Sequence, residues 1–187
     1  MHCLKFNKSH KKGDYLNYIF IDTEFTNLWS ESQLISLALV CGYRRFYCEL
    51  TDTYAEEDVS NFVYDCVLPF LDAPKAPIIE NGCVYTRETK KEAQALLLQW
   101  LMQFKDDQAT IVTDTHYYDF MQLQELLGKD MWPGYLDKAP LLVSNTVPNL
   151  SNYHHALDDA INLQNHKIAE LLKADEGLMK TFDLEGL

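Results

Sequence analysis

The chain contains no apolar run approaching the roughly 20 residues that a membrane-spanning helix needs, so the sequence predicts no helical membrane protein. The stretch from Met1 to Asp14 is polar and lysine-containing and lacks the apolar centre of a secretory signal, which makes the cytoplasm the expected location. Paired cysteines are also missing. Cys3, Cys41, Cys48, Cys66 and Cys83 are scattered, form no Cys-x-x-Cys pair, and have no histidine pair near them at zinc spacing. An odd count without an export signal argues for reduced thiols. Positive charge is scarce as well. The net charge is −12, so long-range attraction to a polyanion is weak. The small basic groups Lys5, Lys8, Lys11 and Lys12, then Arg44 and Arg45, then Arg87, Lys90 and Lys91, each read as solvated surface. There is no internal repeat and no low-complexity tract.

What is present suffices for one folded domain. The 187 residues are 47% hydrophobic, enough to bury a core. The expected division is a polar N-terminal segment, 1–17, and a single domain, 18–187. Tyr18 to Asp22 reads as a buried strand, Gln33 to Val40 as a second and Arg44 to Glu49 as a third, with Cys41-Gly42-Tyr43 as the turn between the last two. Glu57 to Phe70 reads as a helix with Pro69 near its end, and Asp72 to Pro77 as a loop. Thr86 to Phe104 reads as a helix because Leu97, Trp100, Leu101 and Phe104 recur at helical spacing. Ala109 to Thr113 follows as a strand, Tyr118 to Leu127 as a helix stopped by Gly128, and Leu141 to Val143 as a last strand. Ser144 to Tyr153 reads as a polar loop before a final helix from Ala156 to Leu172. The alternation predicts an α/β layer fold with a mixed sheet.

Three short segments carry chemistry. In Ile21-Asp22-Thr23-Glu24-Phe25, strand alternation sends Asp22 and Glu24 to one side. Two carboxylates about 4 Å apart repel by about 4 kcal/mol at an effective dielectric of 20, so a cation is the natural partner; an ordinary polar strand end is the other reading. In the second segment, Asp114 precedes Asp119, and Asp119 falls inside the apolar arc set by Phe120, Leu123, Leu126 and Leu127. A carboxylate there needs a partner or a metal, unless it caps its own helix. The third segment is His154-His155-Ala156-Leu157-Asp158-Asp159. On one continuous helix His154 and Asp159 diverge by about 140°, so they converge only if His154 lies before the helix. His155 and Asp159 can meet on the helix itself. The helical wheel does not choose between the histidines, nor between Asp158 and Asp159, and a capped surface helix with a solvated histidine pair remains open.

Taken in order, Asp-x-Glu, then Asp, then His-x-Ala-Leu-x-Asp resembles the histidine-bearing (DEDDh) subgroup of the DEDD exonuclease superfamily, from about Tyr18 to Leu172. Phe25 stands where many members have threonine, and Asn27 where many have glycine. That variant looks more like small exoribonucleases of the ribonuclease AS, oligoribonuclease and ribonuclease T kind than like polymerase proofreading domains. The resemblance implies a ribonuclease H-like fold with a five-stranded mixed sheet flanked by helices. It implies a catalytic set of Asp22, Glu24, Asp119, His154 and Asp159. The four carboxylates would hold two Mg²⁺ or Mn²⁺ ions, with Asp22 bridging them, and His154, chosen over His155, would act as base. The implied activity is 3′-5′ exonucleolytic hydrolysis of single-stranded RNA to nucleoside 5′-monophosphates. A DNA exonuclease with the same site and a non-catalytic binding module are the rivals. Thr23, Phe25, Trp29 and Tyr118 are the expected substrate-binding residues, since bases stack on aromatic rings. A homodimer is the assembly often found among similar small enzymes.

Overall fold

The computed structural model describes residues 17–27, 32–114, 118–144 and 154–184, with backbone alone at 129 and 175–184. The polar N-terminal segment (apart from Asn17), Trp29, the first lysine group and most of the predicted 144–153 loop lie outside the described residues.

The chain forms a mixed sheet flanked by helices. β1 (Asn17–Phe25), β2 (Leu34–Cys41) and β3 (Arg44–Leu50) are an antiparallel meander. Gly42, at φ 63°, takes the left-handed conformation in the β2–β3 turn. α1 (Asn61–Cys66) follows, then β4 (Ile78–Glu80) and β5 (Cys83–Glu88), which pair antiparallel, β5 lying parallel to β3. α2 (Lys90–Leu101) leads to β6 (Ala109–Thr113), parallel to β1. α3 (Tyr118–Leu127), β7 (Leu141–Leu142) and α4 (Ala156–Leu184) complete the order. The strands lie side by side as β4-β5-β3-β2-β1-β6-β7.

The sheet therefore has seven strands rather than the expected five. The five anticipated strands sit next to one another, and the additional pair is the β4–β5 hairpin, which extends the β3 edge. Its turn is Asn81-Gly82, with φ of 50° and 80°, the positive values that a two-residue type I′ turn requires. Thr86 consequently belongs to β5. The following helix starts only after Thr89, whose side chain and Glu92 form a reciprocal capping box, a device whose loss costs about 1 kcal/mol. The predicted helix from Glu57 to Phe70 is likewise shorter. Ser60 caps six residues of α1, and Pro69 falls in a separate 3₁₀ turn, Leu68–Phe70. The final helix extends past Leu172, to Leu184.

Alternation along β1 sorts the two faces of the sheet. Ile19 and Ile21 join Leu37, Leu39 and Phe46 against Leu97, Leu101 and Phe104 and against Leu123 and Leu127 of α3. On the opposite face, Tyr18, Phe20 and Val112 pack on Leu163, while Ala38, Val40 and Tyr47 pack on Ala156 and Ala160. The small alanines let α4 approach the sheet closely. Asp22 and Glu24, in step with Phe20, thus come up on the side that α4 covers, and Thr23 lies on the side of α3. Among the described residues, no helix is long and apolar enough to cross a membrane.

Candidate metal centre

Two groups of donor side chains form where the end of β1 meets the starts of α3 and α4. In the first, ligand atoms of Glu24, His154 and Asp159 lie within 4.8 Å of one another; in the second, the same holds for Asp22, Asp114 and Asp119. The groups share no residue. The five residues of the expected catalytic set are divided between them. Asp22 falls in the second group alone, and His154 stands among the potential ligands of the first.

Each side chain is placed by a specific local feature. Glu24 is the last residue before a register shift in the β1–β2 ladder, and it is 8% exposed. Asp119 lies in the first turn of α3 and is buried. Its Oδ1 accepts from the Thr23 N–H at 3.0 Å and the Thr23 hydroxyl at 2.7 Å, and its Oδ2 accepts from the Thr113 hydroxyl at 2.8 Å. Three donors thus orient the carboxylate, and Thr23, expected to touch substrate, uses its hydroxyl on Asp119. His154 lies just before α4, as its convergence with Asp159 demands. Its N–H donates to the Cys66 carbonyl at 2.8 Å, so α1 fixes the chain where it enters α4. Asp159 Oδ2 accepts from the His155 N–H at 3.4 Å.

The electrostatics are those of crowded acids, with the His154 and His155 imidazoles beside Asp159. Among the described residues, no lysine or arginine pairs with Asp22, Glu24, Asp119 or Asp159. Glu24 Oε1 is buried and has no hydrogen-bond partner among them. Burial, then Asp159 and Asp119, push the Glu24 carboxyl up to about 8. Burial, followed by Asp119, Glu24, Asp159 and Asp114, holds the Asp22 carboxyl well above the usual range. Asp119 rises to about 6 through burial, although the Thr23 and Thr113 hydroxyls pull the other way. Asp159 is raised, chiefly by burial. Each shift has the same meaning: in the absence of a cation, these carboxyls resist ionisation. A hard divalent ion that prefers oxygen donors supplies the missing charge, and the orphaned Glu24 oxygen fits such an ion.

Aromatic rings border the carboxylates. The Phe25 and Tyr118 ring centroids are 6.0 Å apart, and Tyr118 is at the surface. Phe62, in the first turn of α1, packs edge-on against His154 at 5.1 Å and is 54% exposed. Nothing in the sequence marks Phe62, because Glu57 to Phe70 reads as one longer helix. Asp114 joins the second donor group and Thr113 bonds Asp119, roles that the residue types alone do not announce. The Asp114-x₄-Asp119 spacing at a strand-to-helix junction is the signal that was available for both acids. The chain matches no family model, and no curated protein resembles it closely enough in sequence to count as a relative.

Proposed function

We propose that this protein is a metal-dependent 3′-5′ exonuclease that hydrolyses single-stranded RNA to nucleoside 5′-monophosphates. The observation that carries this reading is the convergence of Asp22, Glu24, Asp114, Asp119 and Asp159 with His154 at one end of β1. Bound divalent ions would activate water and stabilise the departing 3′ oxygen, the chemistry of two-metal phosphodiester hydrolysis. Glu24 and Asp159 would hold one ion and Asp22, Asp114 and Asp119 the other. Thr23 and Thr113 keep Asp119 oriented. His154 receives the proton of the attacking water, a task for which imidazole is suited near neutral pH. Phe25 and Tyr118 offer faces on which the terminal bases stack. A 2′-hydroxyl contact to Glu24 would favour RNA over DNA. The acidic surface disfavours tracking along duplexes, whose affinity comes largely from backbone charge.

The test is a time course with end-labelled RNA, the same sequence as DNA, and a blunt RNA duplex. It is run in Mn²⁺ or Mg²⁺ and again after chelation. Stepwise shortening of single-stranded RNA from its 3′ end, abolished by EDTA and restored by the metal, is the expected result. Equal or faster digestion of DNA transfers the assignment to a DNA exonuclease. Metal binding without hydrolysis of any strand makes the fold a binding module.

A further inference from the structure

The first turn of α4 serves two places at once. His154 lies with Glu24 and Asp159, while His155 lines a separate cavity of about 530 Å³ whose described lining includes none of the metal-donor residues. The cavity's back wall is the sheet. Tyr47 of β3 and Tyr85 of β5 are register partners there, and the Tyr47 and His155 rings are 4.8 Å apart. Phe70 and Ile78 form the outer apolar rim and are 40% and 45% exposed. Asp72 and Asp158 supply charge at the mouth, with side chains 79% and 54% exposed.

Two further observations give the cavity a sign. Buried Glu49, beneath the floor, accepts from the Tyr47 hydroxyl at 3.0 Å and the Ala73 N–H at 2.7 Å; its second oxygen has no hydrogen bond among the described residues, and Arg87 stays 3.8 Å away. His155 is only 7% exposed, and neither ring nitrogen has a hydrogen-bond partner there. Asp72 Oδ1 comes to 3.3 Å from Nε2 and Asp158 Oδ2 to 3.9 Å from Nδ1, without hydrogen-bond geometry. The Tyr47 phenol feels the resulting field: burial and then Glu49 and Asp72 make it harder to ionise. Asp72 and Asp158 at the mouth, buried Glu49 behind Tyr47 and the aromatic walls disfavour a phosphate and favour a cation on an apolar stem, which gains both from carboxylates and from ring faces.

We propose that the cavity beside His155 is a second ligand site, selective for an alkylammonium or alkylguanidinium group and independent of the carboxylate cluster. The stem lies between Tyr85, Phe70 and Ile78, and the cationic head sits between Asp72 and Asp158. Such a head is carried by a free amine or by a lysine or arginine side chain of another protein.

The experiment titrates the full chain with n-butylguanidinium, n-butylammonium, the tripeptide Gly-Arg-Gly and neutral butan-1-ol. It follows the His155 ring resonances by NMR and affinity by calorimetry. Both butyl cations are expected to bind saturably and to shift His155, with butan-1-ol at least about tenfold weaker. Asp72→Asn combined with Asp158→Asn should weaken the cations about tenfold or more, and both positions are exposed enough for the fold to survive. Glu24→Gln should leave the affinity unchanged. Tighter binding of Gly-Arg-Gly than of butylguanidinium assigns the site to a protein side chain, and the reverse assigns it to a small amine. Butan-1-ol binding as well as the cations, an unaltered Asp72/Asp158 double variant, or loss of binding in Glu24→Gln would each overturn the proposal. None of these readouts depends on nuclease activity.

Discussion

Thr23 reaches Asp119 twice, through its backbone N–H and through its hydroxyl, and both bonds end on the same carboxylate oxygen. One strand residue between two acids therefore aims a third acid that lies 96 positions further along the chain. Thr23→Val preserves the branched shape that a strand favours and removes only the hydroxyl. Divalent-ion affinity should fall about 10- to 100-fold, the usual effect of losing a group that orients a ligand, with little change in secondary structure. Calorimetric metal titration of the variant beside wild type is the check. Equal affinities would show that the backbone bond alone suffices.

Without metal, the protein should lose stability as pH rises. Glu24 takes up its proton more readily in the folded chain than in the unfolded one, with a folded value of about 8 against an ordinary value of 4.5. Asp119 behaves alike, up to about 6. At these groups the folded state thus binds more protons than the unfolded state, so the stability they contribute is fully present below the ordinary carboxylate range and is lost towards pH 8. Melting temperature in EDTA should drop by at least about 4 °C between pH 5 and pH 8. Mg²⁺ or Mn²⁺ should restore it, and Glu24→Gln should blunt the decline. A flat profile in EDTA contradicts the prediction.

The adjacent histidines should separate kinetically. His154→Ala should lower turnover by about 10² to 10⁴, the contribution of a positioned base, and His155→Ala far less. Single-turnover assays of the two variants decide the ranking. Metal titration of His154→Ala adds a second answer: unchanged affinity favours the base role, and a large loss favours ligation beside Glu24 and Asp159.

Phe62 is predicted to contribute to substrate affinity and little to folding. It is 54% exposed and rests on the His154 ring. If a base stacks there, Phe62→Ala costs about 1 to 3 kcal/mol of binding, seen as a rise in KM of roughly 5- to 150-fold, while the melting temperature hardly moves. A large thermal shift would mean that the ring chiefly supports α1.

Much of the fold was legible because β1, β2, β3 and β6 are long apolar or alternating runs between clear turns. The β4–β5 hairpin was not read, although Asn81-Gly82 is a strong hairpin signal. Pro74 and Pro77 drew the segment towards loop, and Thr86 to Glu88 passed as the start of the helix whose real cap is Thr89. At the site, strand alternation places Asp22 and Glu24 on one side of β1, where their charges interact, but the structure divides them between two donor groups. The choice of histidine was not open to a helical wheel, because it depends on where α4 begins and on the bond from His154 to Cys66, a tertiary contact. Asp114 was seen as a position in a pattern, and only the meeting of β6 with β1 brings it to Asp22.

The donor side chains come from residue 22 at one extreme and residue 159 at the other, and no local stretch holds a complete set. During synthesis, β1 emerges early with two acids that have nothing to bind. The centre is assembled only after the parallel β1–β6 pairing and the docking of α4, both long-range events of the slow kind. A nascent or truncated chain ending before α4 therefore lacks His154 and Asp159 and, with them, the whole Glu24 donor group. Metal uptake at the Glu24 group thus reports completion of the fold, whereas Asp22, Asp114 and Asp119 all precede α4 in the chain.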